Sequence, residues 1–230
     1  MLREFRRLFG FPKTYAVIDC ETTGFSRERD LIIDLGFADV VDDALKRKDS
    51  FLLNWAGCVD GQEEYYADKL RHQAADYAAQ GLTHSYDWER LCRDGKNPRE
   101  VLSWLSAGLR NSIDQGNCVV GHGFVNFDAP MISANIQRSG AEDFYDWGDL
   151  CLVDTGLIEK AIQLEEPPLE SETMLSWYKR VNRPVAGVKW ALAKHCQEKY
   201  RVMGDDATPH TGLADVSAIH KLMNIYKGLL

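Results

Sequence analysis

The sequence has no run of about 18 apolar residues, which is the length a membrane-crossing helix needs. Its start, "MLREFRRLFGFPK", lacks the unbroken apolar core of a secretory signal. There is no Walker A loop, no H-E-x-x-H and no G-x-S-x-G, so nucleoside-triphosphatase, zinc-protease and serine-hydrolase chemistry have no support. None of the six cysteines, at 20, 58, 92, 118, 151 and 196, forms a C-x-x-C pair. They are read as buried thiols of a reducing, intracellular (cytoplasmic) protein. Positive charge is also short: 27 Lys and Arg face 35 Asp and Glu, for a net charge of -8. That argues against a broad basic clamp on a polyanion, but not against a local acidic site neutralised by metal.

What is present is an ordinary globular composition, 45% hydrophobic and 27% charged over 230 residues, enough for one domain with a sizeable core. Leu2, Phe5, Leu8 and Phe9 share one helical face, so residues 1–13 are expected to be an amphipathic extension packed on the body. Strands are expected at 15–20, 31–41 and 51–55, spaced as an antiparallel meander. Helices are expected at 63–80, 97–111, 129–140, 188–200 and 215–230. A short buried strand lies at 118–122, and 149–164 reads as strand then helix with Asp154 or Thr155 as cap. The order implies an α/β mixed sheet flanked by helices, in a single domain over 1–230.

The stretch "YAVIDCETTGF", residues 15–25, sets Asp19 and Glu21 two residues apart at a strand end. Residues i and i+2 of a strand share a face, so the two carboxylates repel unless a cation lies between them. A hard divalent ion fits such oxygens; a solvated strand end with each acid capping backbone N–H groups is the alternative. "GHGFVNFDAPMI" adds Asp128 at a helix start, where an N-cap is the plain reading. "PHTGLADVSAIHKL" adds His210 and Asp215 at the head of the last helix. Cys20, between the two acids, points to the opposite face and into the core.

Asp-x-Glu-Thr-Thr-Gly, then Phe-Asp after a Gly-His strand end, then His-x-x-x-x-Asp, resembles the DEDDh (DnaQ-like) 3′–5′ exonuclease family. The three motifs stand in the family's order and span nearly the whole chain. The resemblance implies a ribonuclease H-like fold and a phosphodiesterase using two divalent ions, Mg²⁺ or Mn²⁺. It assigns Asp19, Glu21, Asp128 and Asp215 to the metals and His210 to general base, with a pKa of about 6.5 suited to that work. It places Thr22, Thr23 and Gly24 around the 3′-terminal nucleotide and Phe25 as a wedge under its base. The middle motif departs from the family pattern. Gly123 stands where an Asn is usual, and the run to Asp128 is one residue longer, so Asn126 is the stand-in for that Asn. His122 is read as structural, Asp154 as a cap and Phe127 as core. Lys179, Arg180, Arg183 and Lys189 are either outlying phosphate contacts or a solvated loop.

The implied activity is release of nucleoside monophosphates from a 3′ end. The implied partners are single-stranded DNA or RNA and a polymerase or other replication protein. The longer middle motif and the chain length lean the substrate towards single-stranded DNA. A ribonuclease T-like or oligoribonuclease-like exoribonuclease is the alternative. A catalytically silent binding module is disfavoured because all five catalytic positions are filled.

Overall fold

The computed structural model describes residues 1–79, 81, 83–141, 147–203 and 210–228. β1 (Tyr15–Thr22), β2 (Ile32–Val41) and β3 (Ala44–Leu52) form the expected antiparallel meander. β4 (Cys118–Gly121) and β5 (Cys151–Asp154) add in parallel on the other side of β1, giving the order β3-β2-β1-β4-β5. The helices are α1 (Leu2–Leu8), α2 (Glu63–Ala79), α3 (Trp88–Asp94), α4 (Pro98–Asp114) and α5 (Asp128–Ser139). They continue with α6 (Thr155–Leu164), α7 (Met174–Val181), α8 (Gln197–Tyr200) and α9 (Gly212–Gly228).

Both sheet faces are covered, which is why the β1 run of Tyr15, Ala16, Val17 and Ile18 is apolar throughout. Val17 joins Leu157, Trp177, Val216 and Ile219 in one core; Ile18 and Cys20 join Leu105, Ile132 and Ile136 in the other. The N-terminal extension is anchored as expected, with Phe5 fully buried and its ring 5.5 Å from Trp177. Among the described residues no helix is long and apolar enough to cross a membrane.

Several expectations need correction. The third strand runs 44–52 rather than 51–55, because Asp42 and Asp43 both take left-handed backbone (φ 51 and 63) and turn the chain in two residues. Its polar letters, Lys46, Arg47 and Lys48, are those of an exposed sheet edge. The helix expected at 188–200 is helical only from Leu192, through a π-turn into α8. Upstream, Lys189 pairs its N–H and carbonyl with the Gln163 amide, and the Trp190 carbonyl serves His122. α3 and α7 have no counterpart among the expected elements. Cys118 and Cys151, paired neighbours on β4 and β5 with Cα atoms 4.5 Å apart, form a disulfide rather than free thiols, and Cys58 is exposed.

The fit of α9 onto the sheet depends on two glycines. A Cβ on Gly36 would lie 2.2 Å from the Gly212 carbonyl oxygen, and one on Gly212 would lie 2.6 Å from the Gly36 nitrogen. Gly36 is the cross-strand partner of Asp19. Bare backbone at this crossing therefore lets the head of α9 settle beside the end of β1.

Candidate active site

Asp19 and Glu21 end β1 on the face covered by α9, opposite Gly36 and Asp34 of β2. α9 delivers Asp215 in its first turn, buried to 6% exposure. One potential ligand atom from each of Glu21, Asp215 and His210 falls within 4.8 Å of the others. α5 delivers Asp128 from behind, 2% exposed. Asp128 lies inside the helix, not at its cap, and its Oδ1 accepts from the Cys20 N–H at 3.0 Å. The last helix and the middle helix are thus tied to the same short stretch of β1.

Burial and mutual repulsion hold these acids towards the neutral form. Asp19 is raised well above the usual carboxylate range by burial, then by Asp215, Asp128 and Glu21. Glu21 is raised by burial, Asp215 and Asp34. Burial pushes Asp128 up to about 8 against the relief of the Cys20 N–H. It pushes Asp215 up to about 7, with Asp34 adding to the rise. The Oδ1 of Asp215 is buried without a hydrogen-bond partner. An oxygen-rich set of this kind, with one oxygen orphaned, fits a hard divalent cation, which removes repulsion and orphan together.

His210 sits just before α9 with left-handed backbone (φ 59), and Pro209 before it lies outside the described residues. The His210 backbone N–H bonds the Asp215 carboxylate. The ring packs edge-on against Tyr77 of α2, centroids 5.2 Å apart. Burial, then nearby His84, lowers its pKa, so the imidazole is neutral at pH 7.

The residues expected at the terminal nucleotide divide. Phe25 is 91% exposed, with its ring 5.7 Å from Phe127; Phe127, expected in the core, is only half-buried and forms the other half of this aromatic pair. Thr22 Oγ1 donates to the Gly24 carbonyl at 2.7 Å, and a Cβ on Gly24 would strike Asp30 Oδ2 at 2.6 Å. Thr23 is a correction. It is 1% exposed, its N–H donates to the Leu31 carbonyl and its hydroxyl to Asp30, so it builds the loop and offers nothing to a ligand. Asn126 is exposed but exchanges amide bonds with Asn182 at 2.7 and 2.6 Å.

Asp154 caps α6 as expected and also gathers the longer middle motif, accepting from Gly123 N–H at 2.9 Å and Val125 N–H at 3.0 Å. Gly123 has φ 73 there, which an Asn would adopt less readily. His122 donates from Nε2 to the Trp190 carbonyl at 2.6 Å and rests near Thr155, a structural position. Arg180 and Arg183 bind Glu172 and Glu166 across the 165–172 loop rather than standing free.

Sequence reasoning missed Asp34. It is 2% exposed and accepts from Ser50 Oγ at 2.6 Å, Tyr86 hydroxyl at 2.7 Å and Gly212 N–H at 3.2 Å. The signal was an acid inside the apolar run "LIIDLGF". It missed Asp30 as well, whose carboxylate holds Thr23 Oγ1, Ser26 N–H and Lys69 and so shapes the loop that presents Phe25.

No protein-family model and no curated protein matches the sequence. Solved structures do match in fold. E. coli exonuclease I in complex with a dT13 oligonucleotide superposes at a TM-score of 0.64 and 16% identity, over 94% of this chain and 41% of that one. A zinc-ion-bound form of its single-stranded DNA complex gives 0.62 and 16%, over 94% and 41%. The exonuclease I/SSB-Ct complex gives 0.62 and 17%, over 94% and 41%. The fold is therefore the ribonuclease H-like α/β fold of these structures, and the chain spans about two fifths of their length.

Proposed function

We propose that this chain is a divalent-metal-dependent 3′–5′ exonuclease that removes nucleoside monophosphates from the 3′ end of single-stranded DNA. The observation that carries the reading is the enclosed oxygen cluster. Burial raises the pKa of carboxylates from β1, α5 and α9, Asp215 and Asp128 raise Asp19 and Glu21 further, one buried oxygen lacks a partner, and a neutral imidazole stands beside them. In this reading Asp19, Glu21, Asp128 and Asp215 hold two ions, Mg²⁺ or Mn²⁺, which when bound stabilise the entering and leaving oxygens of an in-line displacement.

The chain's own residues do the rest. Neutral His210 accepts the proton of the attacking water, and its N–H bond to Asp215 keeps the ring in register with the carboxylates. Exposed Phe25, with Phe127 beside it, offers a face on which any terminal base can stack. In the same reading Thr22 and Gly24 supply the close backbone at that nucleotide, and Asn126 is a further contact to it once released from Asn182. The likeness to exonuclease I solved with oligonucleotides favours DNA, and the SSB-Ct complex of that protein favours a replication protein as partner.

The test is digestion of matched 5′-labelled DNA and RNA strands with Mg²⁺ or Mn²⁺. A descending ladder, faster on DNA and abolished by a chelator, is expected. Strands of both kinds left intact with Mn²⁺ would sink the reading, and bound but uncut strands would indicate the silent module. Faster cutting of RNA would reassign the chain as an exoribonuclease.

A further inference from the structure

A cleft of about 700 Å³ opens on the far side of the α9 head, between β3, α9 and the segment around Tyr86. Lys48, Arg90 and Lys221 all line it. The chain carries a net charge of -8, and many of its cations are consumed by acids: Arg27, Arg47, Lys69, Arg71, Arg93, Lys199 and Lys227 all sit in ion pairs. These three form none among the described residues. Lys48 Nζ meets only Ser217 Oγ at 3.4 Å, and Arg90 donates to the Ser85 carbonyl. Among the described residues the one carboxylate on the cleft wall is Asp34, which is already spent on Ser50, Tyr86 and Gly212. Among the described residues, three cations without an ion-pair partner therefore converge on one concavity in an acidic protein.

The cleft adjoins the carboxylate cluster through Asp34 and Thr211. Asp34 lines it and is also the cross-strand partner of Glu21. Thr211, one residue from His210, lines it too. Apolar Leu52 and half-exposed Leu213 share the floor with the cations. Phosphates seek the cations and bases seek the apolar floor, which is the combination that tracks a single strand.

We propose that this cleft is a second binding region for the substrate, holding phosphodiesters upstream of the one to be cut. The proposal rests on the nuclease reading above for what the strand is doing there, but its chemistry is separately testable. Lys48 and Lys221 are both exposed, so the Lys48→Ala/Lys221→Ala double variant will fold. Binding of a fluorescent 20-nucleotide DNA strand is followed by anisotropy with chelator present, across a series of KCl concentrations. Every phosphate that is no longer neutralised lowers the steepness of log K against log salt by roughly 0.7. The double variant is therefore expected to fall in slope by roughly 1.4 by the same rule, and to bind several-fold more weakly at low salt.

An Arg99→Ala/Lys194→Ala variant removes the same charge from exposed positions elsewhere and is expected to keep the wild-type slope. An unchanged slope in the cleft variant, or an equal drop in both variants, overturns the proposal; an acidic peptide as the true occupant would give the first of these. Wild-type protein that binds the strand with the expected slope but releases no nucleotide with Mn²⁺ overturns the exonuclease reading and leaves the cleft standing.

Discussion

At the residue scale the proposed nuclease site separates chemistry from recognition. His210 is neutral, its backbone N–H bonds the Asp215 carboxylate, and a ring nitrogen lies within 4.8 Å of oxygens of Glu21 and Asp215. His210→Ala is expected to lower kcat by about 10²–10⁴-fold while leaving the melting temperature close to wild type; an unchanged kcat removes it as the base. Phe25 contributes almost nothing to the core at 91% exposure. Phe25→Ala should therefore raise KM, in keeping with a stacking loss of about 1–3 kcal/mol, without changing stability. A fall in kcat at constant KM would contradict a stacking role. Asp128 and Asp215 come into view as metal ligands only through the family resemblance, whereas Asp19 and Glu21 were legible because same-face spacing on a strand leaves two carboxylates nowhere to hide from each other. Thr23 was not, because its neighbour Asp30 consumes it, and that hydrogen bond has no trace in a motif. Asp34 was missed for the opposite reason: its carboxylate serves three donors from β3, α9 and the Tyr86 segment, all distant in sequence.

At the element scale the decisive contact is α9 on β2. Asp34 pins the Gly212 N–H while Gly36 and Gly212 touch backbone to backbone. A Cβ at position 36 has only main-chain atoms to push against. Gly36→Ala is therefore expected to cost about 1–3 kcal/mol of stability and to lose activity beyond what its thermal shift explains, because the segment that moves carries both His210 and Asp215. Retained full activity at a lowered melting temperature would show that the site tolerates the displacement. Strand and helix periods place most elements, but the third strand is read at 51–55 instead of 44–52 because a charged sheet edge has the composition of a loop. α7 was hidden similarly: its Arg180 is exposed in letters yet tied to Glu172 in space.

At the scale of the whole molecule the site is a standing electrostatic cost on the metal-free protein. Folded Asp128 and Asp215 keep their protons up to about 8 and about 7, whereas unfolded carboxyls ionise near about 4. Between those values the folded chain binds more protons than the unfolded one. The stability that these two groups contribute is therefore full below about pH 4 and is lost as pH rises through the folded values. With chelator present the melting temperature is expected to be lower at pH 8 than at pH 5. Mg²⁺ or Mn²⁺ should restore more at pH 8, where fewer protons compete for the same oxygens. Equal metal shifts at both pH values would argue against a carboxylate site. The mixed sheet itself was legible from the order of strands and helices; the Cys118–Cys151 bond was not, since it joins neighbours that only the parallel β4–β5 pairing creates. Asp19 and Glu21 are synthesised early, Asp128 midway and Asp215 only with the last helix of the folded body. A nascent polypeptide that stops short of His210 possesses the repelling acids but neither the proposed base nor Asp215. On the proposed reading the nuclease centre is therefore completed by the order of synthesis as well as by folding, since no chain that stops before residue 215 can assemble it.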